Sequence, residues 1–210
     1  VYSASSVTIK NIVILGNEYG VYVYQSSDVY IMNTTLKWIP EDGIRLDSSS
    51  ECNIYDNTLT SIGWFGISLR ESSHNSIHDN TVQGCDAAGI YVMSNSIGNS
   101  IFSNDLIQNN YGIWLNGSVS NTKIYENELQ NNDCGILLNN ALSNEISNNN
   151  AWDTADEMVY GIGLQHSTNI SIYDNTISGA SVGIYLDDSA DNDIYSNLVQ
   201  NCDYEGIKLL

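Results

Sequence analysis

A four-residue phrase recurs along the whole chain: glycine, then isoleucine or valine, then any residue, then leucine or valine. Successive glycines of this phrase are separated by 23, 23, 23, 23, 23, 26, 22 and 23 residues. A fixed period of this size is typical of a solenoid, in which each repeat forms one coil that stacks on the next. The glycines are Gly20, Gly43, Gly66, Gly89, Gly112, Gly135, Gly161, Gly183 and Gly206.

Each repeat carries a second phrase, Ile-x-x-Asn-x-apolar. Apolar residues two apart share one face of a strand, so the pattern predicts about three short strands per coil, separated by polar turns. Each strand should pair in parallel with its copy one coil away, because a single coil cannot bury its apolar face alone. The repeated asparagines are Asn57, Asn80, Asn104, Asn127, Asn149, Asn175 and Asn197, and Thr34 and Ile12 replace them in the first two repeats.

The two repeated polar positions are interpreted as corners of the coil. The asparagine side chains are expected to turn inward, where their amides can hydrogen-bond to one another or to the turn backbone. The glycines are expected to occupy a corner with positive φ. Both roles are structural, since a feature present in nearly every coil cannot be a single catalytic site.

This pattern resembles the right-handed parallel β-helix family, with its pectin-lyase-like architecture, and more narrowly the NosD-type repeats of periplasmic and archaeal surface proteins. The resemblance runs from about Val7 to Leu209 and implies an all-β solenoid of about nine coils in one domain, residues 1–210. Relatives include polysaccharide lyases, glycoside hydrolases, uronate epimerases, surface-layer modules and a periplasmic factor linked to copper-enzyme maturation. None of their catalytic motifs can be placed on this sequence. With three methionines and no Cys-x-x-Cys, copper has no obvious ligands.

The charge balance limits the classes of partner. The formal charge is −19, from 25 acidic and six basic residues, which argues against nucleic-acid binding and anionic membranes. It also disfavours polyanionic sugars unless a cation bridges them, and the shortage of basic residues argues against a uronate lyase. No apolar run reaches about 18 residues, so no membrane insertion is predicted. The composition favours an extracellular or cell-surface location, with the periplasm as the alternative.

The four cysteines are predicted to be free and mostly buried. Cys85 and Cys202 share a column of the repeat but lie five coils apart, roughly 24 Å at about 4.8 Å per strand spacing. A disulfide requires Cα atoms about 4.4–6.8 Å apart. Cys52 and Cys134 fall in two other columns.

Acidic and aromatic residues gather just before the repeat glycines. This edge is longest between Asn149 and Gly161, where 12 residues replace the usual eight or nine, so residues 151–160 are predicted to bulge as a loop. Aromatic faces and carboxylates hold sugars, and a carboxylate pair can hydrolyse a glycosidic bond. The alternative is a solvated acidic turn without a ligand. The candidate carbohydrate-binding residues are Trp38, Trp64, Tyr111, Trp152, Tyr160 and Tyr204; the candidate catalytic residues are Asp133, Asp153, Asp156 and Glu157, with Glu41 and Asp42 as a further pair.

Two further columns of aromatic residues are predicted to point outward. Aromatic residues in strands stack on their neighbours one coil away, so stabilisation of the sheet is the first interpretation. A contiguous exposed stripe could also dock a partner or a glycan. One column contains Tyr55, His78, Phe102, Tyr125, Tyr173 and Tyr195, and the other contains Tyr22, Tyr91, Trp114 and Tyr185.

A dense acidic turn near the end of the chain is a candidate calcium site, because calcium takes six to eight oxygen ligands from such turns. The candidate ligands are Asp187, Asp188, Asp191 and Asp193. No other cofactor is predicted, and His74 and His78 are not spaced to share a metal on a strand.

Two functional hypotheses remain open. The first is an extracellular structural or adhesion module that binds carbohydrate along its aromatic, acidic edge. The second is a polysaccharide-active enzyme, either a hydrolase, a lyase or an epimerase. The expected partners are a polysaccharide or neighbouring copies of a surface protein. Neither end of the sequence shows a capping element, so the chain is expected to continue or to stack end to end as a homo-oligomer.

Overall fold

The computed structural model describes residues 1–154 and 157–210, and every regular element in these residues is a β-strand. The chain visits three sheets in turn, and each strand pairs in parallel with the strand three elements later. The described residues form three nine-stranded sheets. The predicted right-handed parallel solenoid of about nine coils and three strands per coil is confirmed.

The three sheets are named here by the order in which the chain meets them. Sheet I comprises β1 (Ser5–Lys10), β4 (Ser27–Met32), β7 (Asn53–Tyr55), β10 (Ser76–His78), β13 (Ser100–Phe102), β16 (Lys123–Tyr125), β19 (Glu145–Ser147), β22 (Ser171–Tyr173) and β25 (Asp193–Tyr195). Sheet II comprises β2 (Val13–Leu15), β5 (Thr35–Ile39), β8 (Thr58–Ile62), β11 (Thr81–Cys85), β14 (Asp105–Ile107), β17 (Glu128–Gln130), β20 (Asn150–Trp152), β23 (Thr176–Ser178) and β26 (Leu198–Gln200). Sheet III comprises β3 (Val21–Tyr24), β6 (Ile44–Asp47), β9 (Phe65–Arg70), β12 (Ala88–Met93), β15 (Tyr111–Asn116), β18 (Cys134–Asn139), β21 (Tyr160–Gln165), β24 (Val182–Asp187) and β27 (Glu205–Leu209).

The core consists of columns of like residues. In sheet III, Ile67 pairs with Ile90 and Ile90 pairs with Ile113, and all three side chains are fully buried. The leucine or valine two residues later forms a second buried column beside the first. Since burying one such side chain contributes about 1.5–3 kcal/mol, these columns are the main source of the stability of the stack.

The repeated asparagines form the predicted ladder at the corner between sheets I and II. The Asn80 side-chain amide donates to Oδ1 of Asn104 at 3.0 Å and to the carbonyl oxygen of Ile54 at 2.9 Å. The backbone N–H of Asn80 donates to the same Oδ1 at 3.1 Å. The ladder repeats this geometry from Asn57 to Asn197, and Thr34 caps it by donating its hydroxyl to Asn57 Oδ1 at 2.7 Å. The predicted role of these asparagines is therefore confirmed.

The prediction of positive φ for the repeat glycines is wrong. The glycines with positive φ are Gly16, Gly84, Gly98, Gly117 and Gly179, and none belongs to the repeated phrase. The repeat glycines are required because the next coil lies too close. A Cβ on Gly112 would lie 2.6 Å from the carbonyl oxygen of Gly135 and 2.6 Å from Cδ2 of Leu129.

The left-handed corner is formed instead by the residue before each ladder asparagine. These residues have φ between 53° and 57°. Asparagine, aspartate and other small polar residues tolerate this conformation better than β-branched ones. The residues are Asp56, Asp79, Ser103, Glu126, Asn148, Asp174 and Ser196.

The outward aromatic column of sheet I forms the predicted cross-strand stacks. The rings of Tyr55, His78, Phe102 and Tyr125 lie nearly parallel, with centroid separations of 5.1, 4.7 and 4.9 Å. Ser147 interrupts the column, which then continues with one further stacked pair. Stabilisation of the sheet is thus sufficient to explain this column.

The cysteines are free, as predicted. Burial raises the pKa of the Cys85 and Cys134 thiols to about 12, so both are poor nucleophiles at neutral pH. Within residues 1–154 and 157–210 no helix is long and apolar enough to cross a membrane.

Candidate functional site

The corner between sheets II and III carries an open groove, which we call the corner groove. One section, of about 340 Å³, is lined by Trp38, Pro40, Ser61, Gly63 and Gly84. The next section, of about 530 Å³, is lined by Gln108, Asn110, Asn131, Asp133 and Glu157. Asp86 lines both sections, so they adjoin. The groove crosses successive coils, and the sequence predicted a functional edge at this corner.

Trp38 stands at one end of the corner groove, at a left-handed corner that recurs in other coils. Its side chain is 64% exposed, and its φ is 57°, which is strained for a bulky residue. Gly84 and Ser61 occupy the same left-handed position in the next two coils. A large aromatic residue held in strain and in solvent suggests a contact with something outside the chain.

The other end of the corner groove is shaped by the predicted loop. The Asp153 carboxylate accepts hydrogen bonds from the backbone N–H groups of Glu157 and Met158, both at 2.7 Å. The Met158 side chain is fully buried and anchors the loop. Asp153 therefore has a structural role, and Asp156 lies outside the described residues.

Asp133 is a candidate catalytic residue of the corner groove whose carboxyl group has an altered environment. Partial burial of its carboxyl and the charge of Asp153 raise the pKa of Asp133 above its usual range. Asp133 and Glu157 line the same section of the groove. Because Asp133 is largely exposed, solvent screens its interaction with Asp153.

The predicted carbohydrate-binding aromatics do not form one cluster. Trp38 lies in the corner groove, and Trp64, 52% exposed, lies beside a separate pocket on the outer face of sheet III. Trp152 lies on the outer face of sheet II, in a shallow depression with Glu128 and Gln130. The remaining three are Tyr111, which packs on Trp114, Tyr160, which stacks on Tyr185, and Tyr204, which is 78% exposed.

The pocket beside Trp64 was not predicted from the sequence, and we call it the arginine pocket. It has a volume of about 300 Å³ and contains the chain's two arginines. Arg45 donates to Asp47 at 2.6 Å, and its guanidinium lies 5.1 Å from the centroid of the Tyr22 ring. The pocket is lined by Glu41, Asp42, Arg45, Trp64, Phe65 and Arg70.

A buried carboxyl lies in the wall of the arginine pocket. Asp42 is 3% exposed and accepts a hydrogen bond from Ser68 Oγ at 2.7 Å. Burial raises the pKa of Asp42, although the hydrogen bond from Ser68 and the charges of Arg70 and Arg45 oppose this. Since Arg45 and Arg70 lie two and four residues after their glycines, only the fold brings them together around Asp42.

We expect an Asp42→Asn variant to reveal this burial through the pH dependence of stability. The raised pKa means that the folded state binds a proton to Asp42 more tightly than the unfolded state does. Protonated Asp42 therefore stabilises wild type at low pH. This contribution is lost as the pH rises from the pKa of Asp42 in the unfolded chain through its higher pKa in the folded protein. The free energy of unfolding of Asp42→Asn, relative to wild type, should increase between pH 4 and pH 7. Urea unfolding measures this, and a difference that increases as pH falls would contradict the assignment.

The candidate calcium ligands lie around the turn after β24. Asp188 lies 3.5 Å from Nδ1 of His166, and both side chains are largely exposed. Among the described residues, no three His, Cys, Asp or Glu side chains are grouped to hold a metal ion. Calcium also binds carbonyl oxygens, so calcium binding at Asp187, Asp188, Asp191 and Asp193 stays a prediction.

Comparisons with known proteins identify the repeat family. The model described as "Right handed beta helix region" matches residues 1–151. The model described as "Periplasmic copper-binding protein (NosD)" matches residues 108–210. A comparison with curated proteins found no similar sequence.

Several solved structures share the fold at low sequence identity. The periplasmic alginate epimerase AlgG matches with a TM-score of 0.80 and 20% identity, over 91% of this chain and 48% of AlgG. DFA-IIIase from Arthrobacter chlorophenolicus A6 matches with a TM-score of 0.74 and 18% identity, over 98% of this chain and 61% of that chain. PfbA, a surface adhesin of Streptococcus pneumoniae, matches with a TM-score of 0.64 and 11% identity, over 97% of this chain and 70% of PfbA. This chain thus spans about half the length of the epimerase.

The residues matched by the NosD model are a poor set of copper ligands. Copper sites use cysteine, methionine or histidine side chains that converge on one point. In this segment Met158 and Cys134 are buried in the body of the solenoid, Cys202 is partly buried in the last coil, and His166 is exposed. These side chains do not provide a copper site.

Proposed function

Because this chain belongs to the right-handed β-helix family, we propose that it is a surface module that binds a saccharide chain in the corner groove. The observation that carries this proposal is the strained, exposed Trp38 at the end of a groove lined by amides and carboxylates. The apolar face of the indole suits the C–H face of a sugar ring, and the amides and carboxylates suit its hydroxyl groups.

The shape of the groove supports a chain-like ligand over a compact one. The residues that line it begin with Trp38, before the second repeat glycine, and end with Glu157, before the seventh, so the groove crosses several coils. At about 4.8 Å per coil it is over 20 Å long. An open, polar groove of this length differs from the enclosed, mostly apolar pockets that hold small molecules.

The named neighbours support a carbohydrate-related role outside the cytoplasm. One is an alginate epimerase described as periplasmic, and another is a surface adhesin. We propose the cell surface as the location, with the periplasm as the alternative.

We expect Trp38→Gly to weaken saccharide binding about tenfold without lowering stability. The variant removes one aromatic contact with the sugar. A tenfold loss of affinity corresponds to about 1.4 kcal/mol of binding free energy. Stability should be kept because glycine adopts positive φ without strain, and Gly84 already occupies the equivalent position two coils later. A glycan array identifies a ligand, and calorimetric titration then compares wild type, Trp38→Gly and the control Trp152→Ala. Unchanged affinity in Trp38→Gly, or a loss confined to Trp152→Ala, would contradict the proposal.

Hydrolysis is the second candidate function, and the raised pKa of Asp133 favours it. A hydrolase would release reducing ends from the bound glycan. Asp133→Asn would abolish that release and leave binding in place. Binding by wild type without any release would support the non-catalytic module.

A further inference from the structure

We propose that the saccharide bound in the corner groove carries free amino groups, so that the ligand is a cationic chain of amino sugars of the glucosamine type. This inference names the substrate class for the proposed function and rests on it. It concerns the larger section of the groove, which is lined by Asp86, Gln108, Asn110, Asp133 and Glu157 among others.

The charge of the groove is the first argument. Asp86, Asp133 and Glu157 contribute three carboxylates to its walls, and no lysine or arginine lines either section. The whole chain has a formal charge of −19, so its field has the same sign as that of the groove. An anionic sugar is repelled by such walls, whereas an ammonium group gains charge-assisted hydrogen bonds that a neutral sugar does not form.

The environment of Asp133 is the second argument. Partial burial of its carboxyl and the negative charge of Asp153 both raise the pKa of Asp133. These two effects disfavour the ionised carboxylate, and a nearby positive charge favours it. An ammonium group bound beside Asp133 is therefore stabilised by the same negative field that opposes ionisation of this residue.

The spacing of the carboxylates suits a chain of charges and not a single ion. Asp86, Asp133 and Glu157 precede the fourth, sixth and seventh repeat glycines. Asp86 and Asp133 are thus two coils apart, roughly 10 Å, and Glu157 follows one coil later. Among the residues that the structure describes, no three His, Cys, Asp or Glu side chains are grouped to hold a metal ion. An extended saccharide that runs along the groove meets these carboxylates one after another.

The coil between Asp86 and Asp133 presents amides to the same section of the groove. Gln108 and Asn110 precede the fifth repeat glycine and line the groove there. The side-chain amide of Gln83 donates to Oε1 of Gln108 at 3.0 Å, which orients the Gln108 amide. Amides both donate and accept, so they suit the hydroxyl groups that neighbour an amino group on a sugar ring. A lysine-rich peptide has no such hydroxyls, so this lining favours an amino sugar.

The probes are the hexamer of glucosamine and the hexamer of N-acetylglucosamine, in which acetylation removes the positive charges. Exposed ion pairs are weak one at a time, but three act together here. Calorimetric titration of wild type at about pH 6 is therefore expected to show about tenfold tighter binding of the free amine than of the acetylated sugar. Added salt should reduce this difference, because it screens exposed charges.

The double variant Asp86→Asn, Glu157→Gln tests whether the groove carboxylates cause the difference. It should reduce the tenfold preference to about twofold and leave the affinity for the acetylated sugar unchanged. The matched control is Asp56→Asn, Glu126→Gln, which removes two carboxylates, also three coils apart, from the corner between sheets I and II. The control should keep most of the preference. Circular dichroism establishes that both double variants are folded.

Each contrary result has a distinct meaning. Equal binding of the two hexamers by wild type would overturn the amino-sugar inference and leave a saccharide groove intact. An equal loss in the control variant would show attraction by the whole chain's charge, which also contradicts the inference. Hexalysine that binds as tightly as the glucosamine hexamer would show a cation groove without sugar recognition and overturn it too. Absence of binding by both hexamers would do the same, and a glycan array without any ligand would remove the proposed function as well.

Discussion

Adding one methyl group at Gly112 is expected to lower the free energy of unfolding by about 3 kcal/mol. The new Cβ would lie 2.6 Å from the carbonyl oxygen of Gly135 and 2.6 Å from Cδ2 of Leu129. The leucine can change its rotamer, but the carbonyl belongs to the backbone of the next coil and cannot move without separating two paired strands. Urea unfolding of Gly112→Ala followed by circular dichroism measures the loss.

Gly206→Ala is the matched control because it lies in the same column of the repeat. A Cβ on Gly206 would have Val199 Cγ1 at 3.8 Å as its nearest neighbour, which is ordinary van der Waals contact. Its expected effect is therefore below about 0.5 kcal/mol. Equal losses in the two variants would mean that glycine is required for a reason other than the approach of the next coil.

Asn104→Leu is expected to cost about 4 kcal/mol. The substitution leaves the buried backbone N–H of Asn80 without its acceptor, Asn104 Oδ1. It also removes the amide that donates to the carbonyl oxygens of Ile77 and Phe102 and to Oδ1 of Asn127. Each buried polar group left without a partner costs about 1–3 kcal/mol, and leucine adds no compensating bond.

Asn197→Leu provides the comparison for this ladder prediction. Asn197 accepts from the backbone N–H and the side-chain amide of Asn175 in the same way, but it is only partly buried. Water can replace part of what is lost there, so about 1 kcal/mol is expected. Thermal and urea unfolding of the two variants should rank them clearly. A loss below about 1 kcal/mol at Asn104 would show that the ladder does not stabilise the stack.

Much of the fold was predictable because like residues recur at a nearly constant interval. The spacing that relates Ile67, Ile90 and Ile113 predicts their pairing, and the structure shows that register. The reason for the repeat glycines was not predictable in the same way. The sequence indicates that a side chain is excluded there, but only the stacked coils show that a neighbouring carbonyl, not positive φ, excludes it.

The candidate sites also differ in how far the sequence could predict them. The corner that holds Trp38, Asp133 and Glu157 was predictable, since all three precede a repeat glycine by a few residues. The arginine pocket was not, because Arg45 and Arg70 occupy different columns in successive coils. A weak signal was present in the sequence: in a strongly acidic chain, Arg45 lies within one glycine phrase and Arg70 directly follows the next.

The tryptophans provide the most direct test of saccharide binding in the corner groove, since Trp38 lies in the groove whereas Trp152 lies on the outer face of sheet II. The measurement is an NMR titration of ¹⁵N-labelled indole groups with the glycan identified on the array, with signals assigned from single Trp→Phe variants. Binding is expected to shift the Trp38 signal first and to leave the Trp152 signal unchanged. A shift of Trp152 with Trp38 unaffected would place the glycan on the outer face of sheet II and contradict the proposed function.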